Sequence, residues 1–336
     1  MKRILIISTG GTIACVSDAH GLRPEIGAEE LVNYIPEAKD MCTIDLIDLY
    51  SIDSSNLQPE HWMELVGNIR SNYSAYDGFI ITHGTDTMAY TAAALSYLIQ
   101  NADKPIVITG AQKPISATDT DAKKNLLDSL RFALTDHISG VYLVFGGQAI
   151  IGTRARKIRS KSFHAFESIN YPVAAFLSGP QVLCYETGKD RGQPVFFCDK
   201  LNPRIFLLKL IPGMEPDILR YIGMHYDAIV IESYGVGGIP FQEERNFLPE
   251  IQRLAREGKI IVIATQVMLE GSDVGVYEVG YRAMEDGRIL QTYDMTVEAA
   301  IVKLMWILGQ TSDFTEIKKM FYRSIGADIL TVPANP

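Results

Sequence analysis

The chain opens on an apolar run, Arg3–Ile7, and similar β-rich runs return at Thr43–Leu49, Gly78–Thr82, Pro105–Thr109 and Val141–Phe145. Each is short, rich in β-branched residues and bounded by turn formers, which predicts strands. Helical spacing fills the gaps between them, at Ala28–Ile35, Pro59–Tyr73, Thr87–Ile99 and Asp121–Leu134. In the third of these, Met88, Ala92, Leu95 and Ile99 fall on one face at a period near 3.6. Strands alternating with helices predict a parallel sheet covered on both faces.

After about residue 185 the pattern changes. Thr187–Pro194, "TGKDRGQP", and Leu201–Arg204, "LNPR", are polar and turn-rich, as a linker would be. A second series then predicts strands near Ile205–Leu210, Ala228–Glu232 and Lys259–Ala264, with helices near Glu215–Ile222, Glu243–Arg256 and Val297–Leu308. The expectation is an α/β protein of two domains. A larger N-terminal domain (1–187) carries a mostly parallel sheet flanked by helices, and a linker (188–204) leads to a smaller C-terminal α/β domain (205–336).

In such sheets ligands bind beyond the carboxyl ends of the strands. Four polar motifs follow predicted strands of the first domain: "TGGT" at 9–12, "DSSN" at 53–56, "HGTDTM" at 83–88 and "TGAQ" at 109–112. Singly, each reads as ordinary turn chemistry. Together they predict one polar layer and a site. The paired glycines of the first motif match neither a dinucleotide fingerprint nor a phosphate-binding loop, so a nucleotide is not implied.

Composition narrows the chemistry. A net charge of −9 argues against a nucleic-acid surface, and the basic segment Arg154–Lys161 is local. Cys15, Cys42, Cys184 and Cys198 are widely spaced, which predicts reduced thiols and a cytoplasmic setting rather than a disulfide framework. The six histidines show no metal-binding spacing, so no metal is expected. No apolar run is long enough for a membrane span. What is left is a hydroxyl-dependent site. Thr85 and Asp86 read equally well as helix caps or as site residues, where free N–H groups at a helix start can hold an oxyanion. A threonine hydroxyl becomes nucleophilic only when a base takes its proton, and a desolvated lysine is one such base. Lys157 is the candidate, although spacing alone does not bring it to Thr85.

"TGGTIA" (9–14), "HGTDTM" and "SYGVG" (Ser233–Gly237), with "DSSN", "TGAQ", the segment around Lys157 and "DMTVEAAIVKL" (Asp294–Leu304), together resemble the bacterial-type L-asparaginases, specifically their cytoplasmic type I branch. The resemblance covers nearly the whole chain. It implies cofactor-free hydrolysis of L-asparagine to L-aspartate and ammonia. Thr12 matches the nucleophile that forms a β-aspartyl ester, and Thr85, Asp86 and Lys157 match the second catalytic group. The Thr85 N–H matches a donor of the oxyanion hole. Ser54 matches a ligand of the substrate α-carboxylate and Asp86 one of its α-ammonium. Asp53, Ser55 and Ala111, in the same motifs, complete the expected substrate-binding set. The resemblance also implies active sites between subunits of an intimate dimer, with dimers pairing into a tetramer.

The sequence departs from that pattern on the loop after the first motif. Many relatives carry a catalytic tyrosine where this chain has Leu22, and a leucine cannot relay a proton. Tyr277 in "GVYEVG" best matches a tyrosine that some type I enzymes supply from elsewhere, and an aromatic packed in an interface is its other reading. Two further functions are open at this point. One is an amidase subunit feeding ammonia to a tRNA-dependent transamidation partner. Such subunits usually carry an extra N-terminal domain, whereas "TGGT" begins here at residue 9. The other is a silent amino-acid-binding homologue, against which the joint presence of Thr12, Thr85, Asp86 and Lys157 argues.

Overall fold

The computed structural model describes residues 1–18, 21–24, 26–185, 192–276 and 288–330. These form two compact units, Met1–Asp199 and Lys200–Pro336. The first is built on strands β1 (Arg3–Gly10), β2 (Thr43–Ile52), β3 (Gly78–Thr82), β4 (Pro105–Thr109), β5 (Gly140–Phe145), β6 (Gln148–Ile151), β7 (Ala175–Ser178) and β8 (Gln181–Cys184). They lie in one sheet in the order β8-β7-β6-β5-β4-β3-β1-β2. Strands β1 to β5 are mutually parallel. Ile4–Ile7, Phe79–Ile81 and Ile106–Ile108 are wholly buried, as strands covered on both faces must be. Each such side chain contributes roughly 1.5–3 kcal/mol by leaving water.

Helices α1 (Ala28–Asn33), α2 (Pro59–Asn72), α3 (Met88–Leu98) and α4 (Ala122–Leu134) connect these strands. Helix α2 starts with proline at its first turn, where a missing N–H costs nothing. Helix α3 is buried almost all round, from Met88 and Ala89 to Tyr97 and Leu98, so it is a core element rather than an amphipathic surface helix.

Three strands of this sheet were not predicted: β6, β7 and β8 add to it in antiparallel fashion. The connection from β5 to β6 is the pair Gly146-Gly147, both with positive φ (60° and 81°). Two such residues in a row make the tight turn that matches strand twist, so the chain doubles back instead of crossing over. Strand β1 also runs to Gly10, three residues past the expected end, because Ser8 pairs with Thr82 and Gly10 with Ile52. Within the stretch 188–204, Phe196–Phe197 forms a short strand against Ile99–Gln100.

Among the described residues the second unit holds four parallel strands in chain order, β9 (Ile205–Lys209), β10 (Ala228–Ser233), β11 (Ile260–Thr265) and β12 (Ile289–Gln291). Its described residues include helices α5 (Ile218–His225), α6 (Leu248–Arg256), α7 (Val297–Gln310) and α8 (Phe314–Tyr322). Helix α5 begins at Ile218, not Glu215, and α6 at Leu248, with only a separate 3₁₀ turn at Glu243–Arg245. Ile229, Ile231, Ile261, Ile263, Leu219, Ile222, Ile251 and Leu254 make its core. Among the described residues no helix is long and apolar enough to cross a membrane.

Candidate active site

The register places the four polar motifs side by side. Strands β4, β3, β1 and β2 are consecutive neighbours, and they run parallel. Their carboxyl ends therefore deliver "TGAQ", "HGTDTM", "TGGT" and "DSSN" to one edge of the sheet.

Glycine lets the motifs touch. Gly11 has φ +79°, and a side chain on it would run into the backbone nitrogen of Gly84. A side chain on Gly84 would meet Ser54 Oγ at 2.6 Å. The backbone of the first motif thus lies directly on that of the third, with the second beneath. Thr12 follows Gly11 in a short 3₁₀ turn, Thr12–Ala14, half-buried while Ile13 and Ala14 enter the core. The turn is held by hydrogen bonds from Gly11 N to Ile52 O (3.0 Å) and from Ala14 N to Gly11 O (3.0 Å).

Across this contact stand Thr85, Asp86 and Lys157. Lys157, on a short strand (Ala155–Lys157), donates to Thr85 Oγ1 at 2.7 Å and to Asp86 Oδ1 at 2.6 Å. The Thr85 hydroxyl faces Gln112 Oε1 at 3.4 Å. Neither Thr85 nor Asp86 caps helix α3. Thr87 takes that place, and its own hydroxyl is turned to Ser54 O at 2.8 Å. The Asp86 carboxylate is 63% exposed, so it can also meet a cation from solvent.

Ser54 is buried, and its Oγ accepts from Asp86 N at 3.2 Å, which ties the second motif to the third. Asp53 accepts from Ser55 N at 2.8 Å and from Ser55 Oγ. Those Ser55 bonds hold its carboxyl below the usual carboxylate range. Ala111 is fully buried. Gln112, which sequence reasoning passed over although it lies in "TGAQ", is clamped from both sides. Its N–H donates to Asp121, and its Nε2 to Arg159 O (3.4 Å) and Ser162 O (3.2 Å). Tyr277 lies outside the described residues. Leu22 is on the second strand of a hairpin, Cys15–Asp18 with Gly21–Pro24. Among the described residues no three His, Cys, Asp or Glu side chains converge to hold a metal.

Comparison with known proteins identifies the family of the chain. The family model for the asparaginase N-terminal domain matches residues 3–188, and that for the glutaminase/asparaginase C-terminal domain matches residues 204–321. The chain is 39% identical to an L-asparaginase of Thermococcus kodakarensis over 329 residues, 97% of this chain and 99% of that protein. It is 34% identical to a glutamyl-tRNA(Gln) amidotransferase subunit of Pyrococcus furiosus, covering 98% of this chain and 77% of that protein. The solved structure of the thermostable L-asparaginase from Thermococcus kodakarensis superposes with a TM-score of 0.92 at 38% identity, over 98% of this chain and all (100%) of that one. Family models match both halves of the chain, which therefore belongs to the asparaginase family.

Proposed function

We propose that this protein hydrolyses the side-chain amide of free L-asparagine, giving L-aspartate and ammonia. The observation that supports the reading is the contact of Gly11 with Gly84, the residues that precede Thr12 and the Lys157-bound Thr85 in sequence. Thr12 Oγ attacks the amide carbon, ammonia leaves with the proton of the Thr12 hydroxyl, and a β-aspartyl ester remains. Water then cleaves the ester, with Thr85 and Lys157 managing its proton. The Thr85 N–H receives the charge that develops on the amide oxygen. Asp86 takes the substrate α-ammonium, and Ser54, flanked by Asp53 and Ser55, takes the α-carboxylate. Ala111 closes the pocket. Tyr277 is the proposed proton-handling phenol in place of the loop tyrosine. The chemistry requires no cofactor or metal.

None of the four cysteines is joined in a disulfide, which supports a cytoplasmic setting. Exposed Phe176, Leu183 and Tyr185 on the outer strands β7 and β8 and just beyond them support assembly into a homo-oligomer, a dimer that pairs into a tetramer. The acidic balance fits a small-molecule substrate and not a nucleic acid.

The similarity to the amidotransferase protein favours a second reading, in which the ammonia is passed to a transamidation partner. One assay separates the two. Purified protein alone should release ammonia from L-asparagine, and Thr12→Ala should lower that rate by several orders of magnitude. Release that depends on an added partner and tRNA would select the second reading. A Thr12→Ala variant keeping more than about a tenth of the rate would remove Thr12 as nucleophile.

A further inference from the structure

Directly behind the Gly84–Thr85 peptide lies a buried relay of three side chains that the hydrolytic scheme does not use. His83 directly follows strand β3, with none of its surface exposed. Its Nδ1 is 2.6 Å from Gly84 O, and its Nε2 is 2.9 Å from Thr91 Oγ1 on helix α3. Trp62 Nε1, on helix α2, lies 3.0 Å from the same Thr91 oxygen.

Each proton in this relay has one place. A carbonyl oxygen only accepts, so Nδ1 must carry hydrogen and donate to Gly84 O. Burial pushes the imidazole down to about 4, so it is neutral at neutral pH and Nε2 has no hydrogen. Nε2 therefore accepts from the Thr91 hydroxyl, and the Thr91 oxygen accepts from the indole, which only donates. The relay ends on the C=O of the peptide whose N–H belongs to Thr85. In a trans peptide that N–H points opposite to its C=O, here away from the imidazole. Among the described residues no backbone acceptor meets it.

We propose that His83 is a positioning residue, whose buried Nδ1–H holds the Gly84–Thr85 peptide so that the Thr85 N–H faces the reacting amide oxygen. The proposal rests on the amide-hydrolase reading above. Its physical need arises at Gly84. Glycine is required there because of the approach to Ser54 and Gly11, yet glycine also leaves the following peptide free to rotate. A flipped peptide would present a carbonyl oxygen, instead of an N–H, to the developing negative charge. The imidazole supplies the constraint that a side chain on residue 84 cannot.

Two measurements test this. In protein labelled with ¹⁵N-histidine, imidazole shifts at pH 7 should show His83 neutral with its proton on Nδ1, the signal being assigned by its loss in His83→Asn. A proton on Nε2 would overturn the proposal whether or not the protein is an asparaginase. In kinetics, His83→Asn keeps an amide N–H where Nδ1 stands, whereas His83→Gln moves it to the place of Nε2. His83→Gln should lower kcat for L-asparagine ~10–100-fold with KM within about twofold, and His83→Asn should recover most of the loss. Wild-type kcat in His83→Gln, or equal losses in both variants with equal falls in Tm, would reduce His83 to a core residue. Thr91→Val is the second variant. It keeps the shape of the relay without its hydroxyl, and an unchanged His83 tautomer together with unchanged kcat would also count against the proposal. If wild-type protein released no ammonia, the hydrolase reading would fail while the imidazole shifts still judged the relay.

Discussion

Lys157 Nζ donates to Thr85 Oγ1 at 2.7 Å and to Asp86 Oδ1 at 2.6 Å, across 72 and 71 positions of sequence. One amine thus touches both a hydroxyl that could take part in proton transfer and a carboxylate open to solvent. Lys157→Met keeps the aliphatic stem and removes the amine. Turnover is expected to fall ~10²–10⁴-fold with Tm nearly unchanged. Lys157→Arg should not rescue it, because a guanidinium keeps the charge beside Asp86 but does not give up its proton. Steady-state ammonia release from the two variants decides the matter. Recovery with arginine would mean that charge alone is needed.

Gly11→Ala places a methyl group against the Gly84 backbone at a φ of +79°. The first motif must then move off the third, and a displacement of about 1 Å at the reacting groups costs ~100-fold or more in kcat. Gly179→Ala is the control, since its φ is +56° but nothing lies within 4 Å of the added carbon. It should lose on the order of 1 kcal/mol of stability and keep full turnover. Paired melting and rate measurements read both effects.

L-Asparagine should be preferred to L-glutamine by ~100-fold in kcat/KM. Ser54 and Asp86 are joined by the hydrogen bond from Asp86 N to Ser54 Oγ, so the two groups proposed to clamp the α-carboxylate and α-ammonium form one rigid unit. One extra methylene then carries the amide carbon past Thr12. Equal kcat/KM for the two amides would show that the clamp does not fix the amide.

His83 also sets a pH dependence of stability. Its pKa is about 4 in the fold, against roughly 6.5 unfolded, because burial penalises the charged ring. Above about pH 6.5 both states are neutral and the full stability is present. As pH falls towards 4, the unfolded chain binds a proton that the folded one refuses, so stability declines by on the order of 3 kcal/mol. Below about 4 this group adds no further loss. Urea midpoints at pH 7 and pH 5 should differ in wild type and differ less in His83→Asn. Parallel declines in the two proteins would assign the acid sensitivity to other groups.

The strands β3 and β4 were legible to the residue, and β1 and β5 nearly so, because strands buried on both faces need unbroken apolar runs, whereas the half-exposed edge strand β2 was legible from its alternation of apolar and polar residues. The site motifs were legible for the related reason that glycines and small hydroxyls must gather wherever such strands end at a ligand. Sequence alone therefore determined the α/β class, the order of the elements as far as β5, the polar motifs at the strand ends and the candidate residues in them. Tertiary structure decided what those residues touch. The turn at Gly146-Gly147 could only be known to reverse the sheet once β6 had paired with β5. Thr85 and Asp86 read equally well as caps until Lys157 was seen to hold both, and His83 read as the end of a strand until Trp62 and Thr91 were found behind it. Local pattern records which face of an element is buried, since burial acts on each residue by itself. Hydrogen bonds between residues dozens of positions apart leave no period in the chain, so only the packing of the whole unit can specify them.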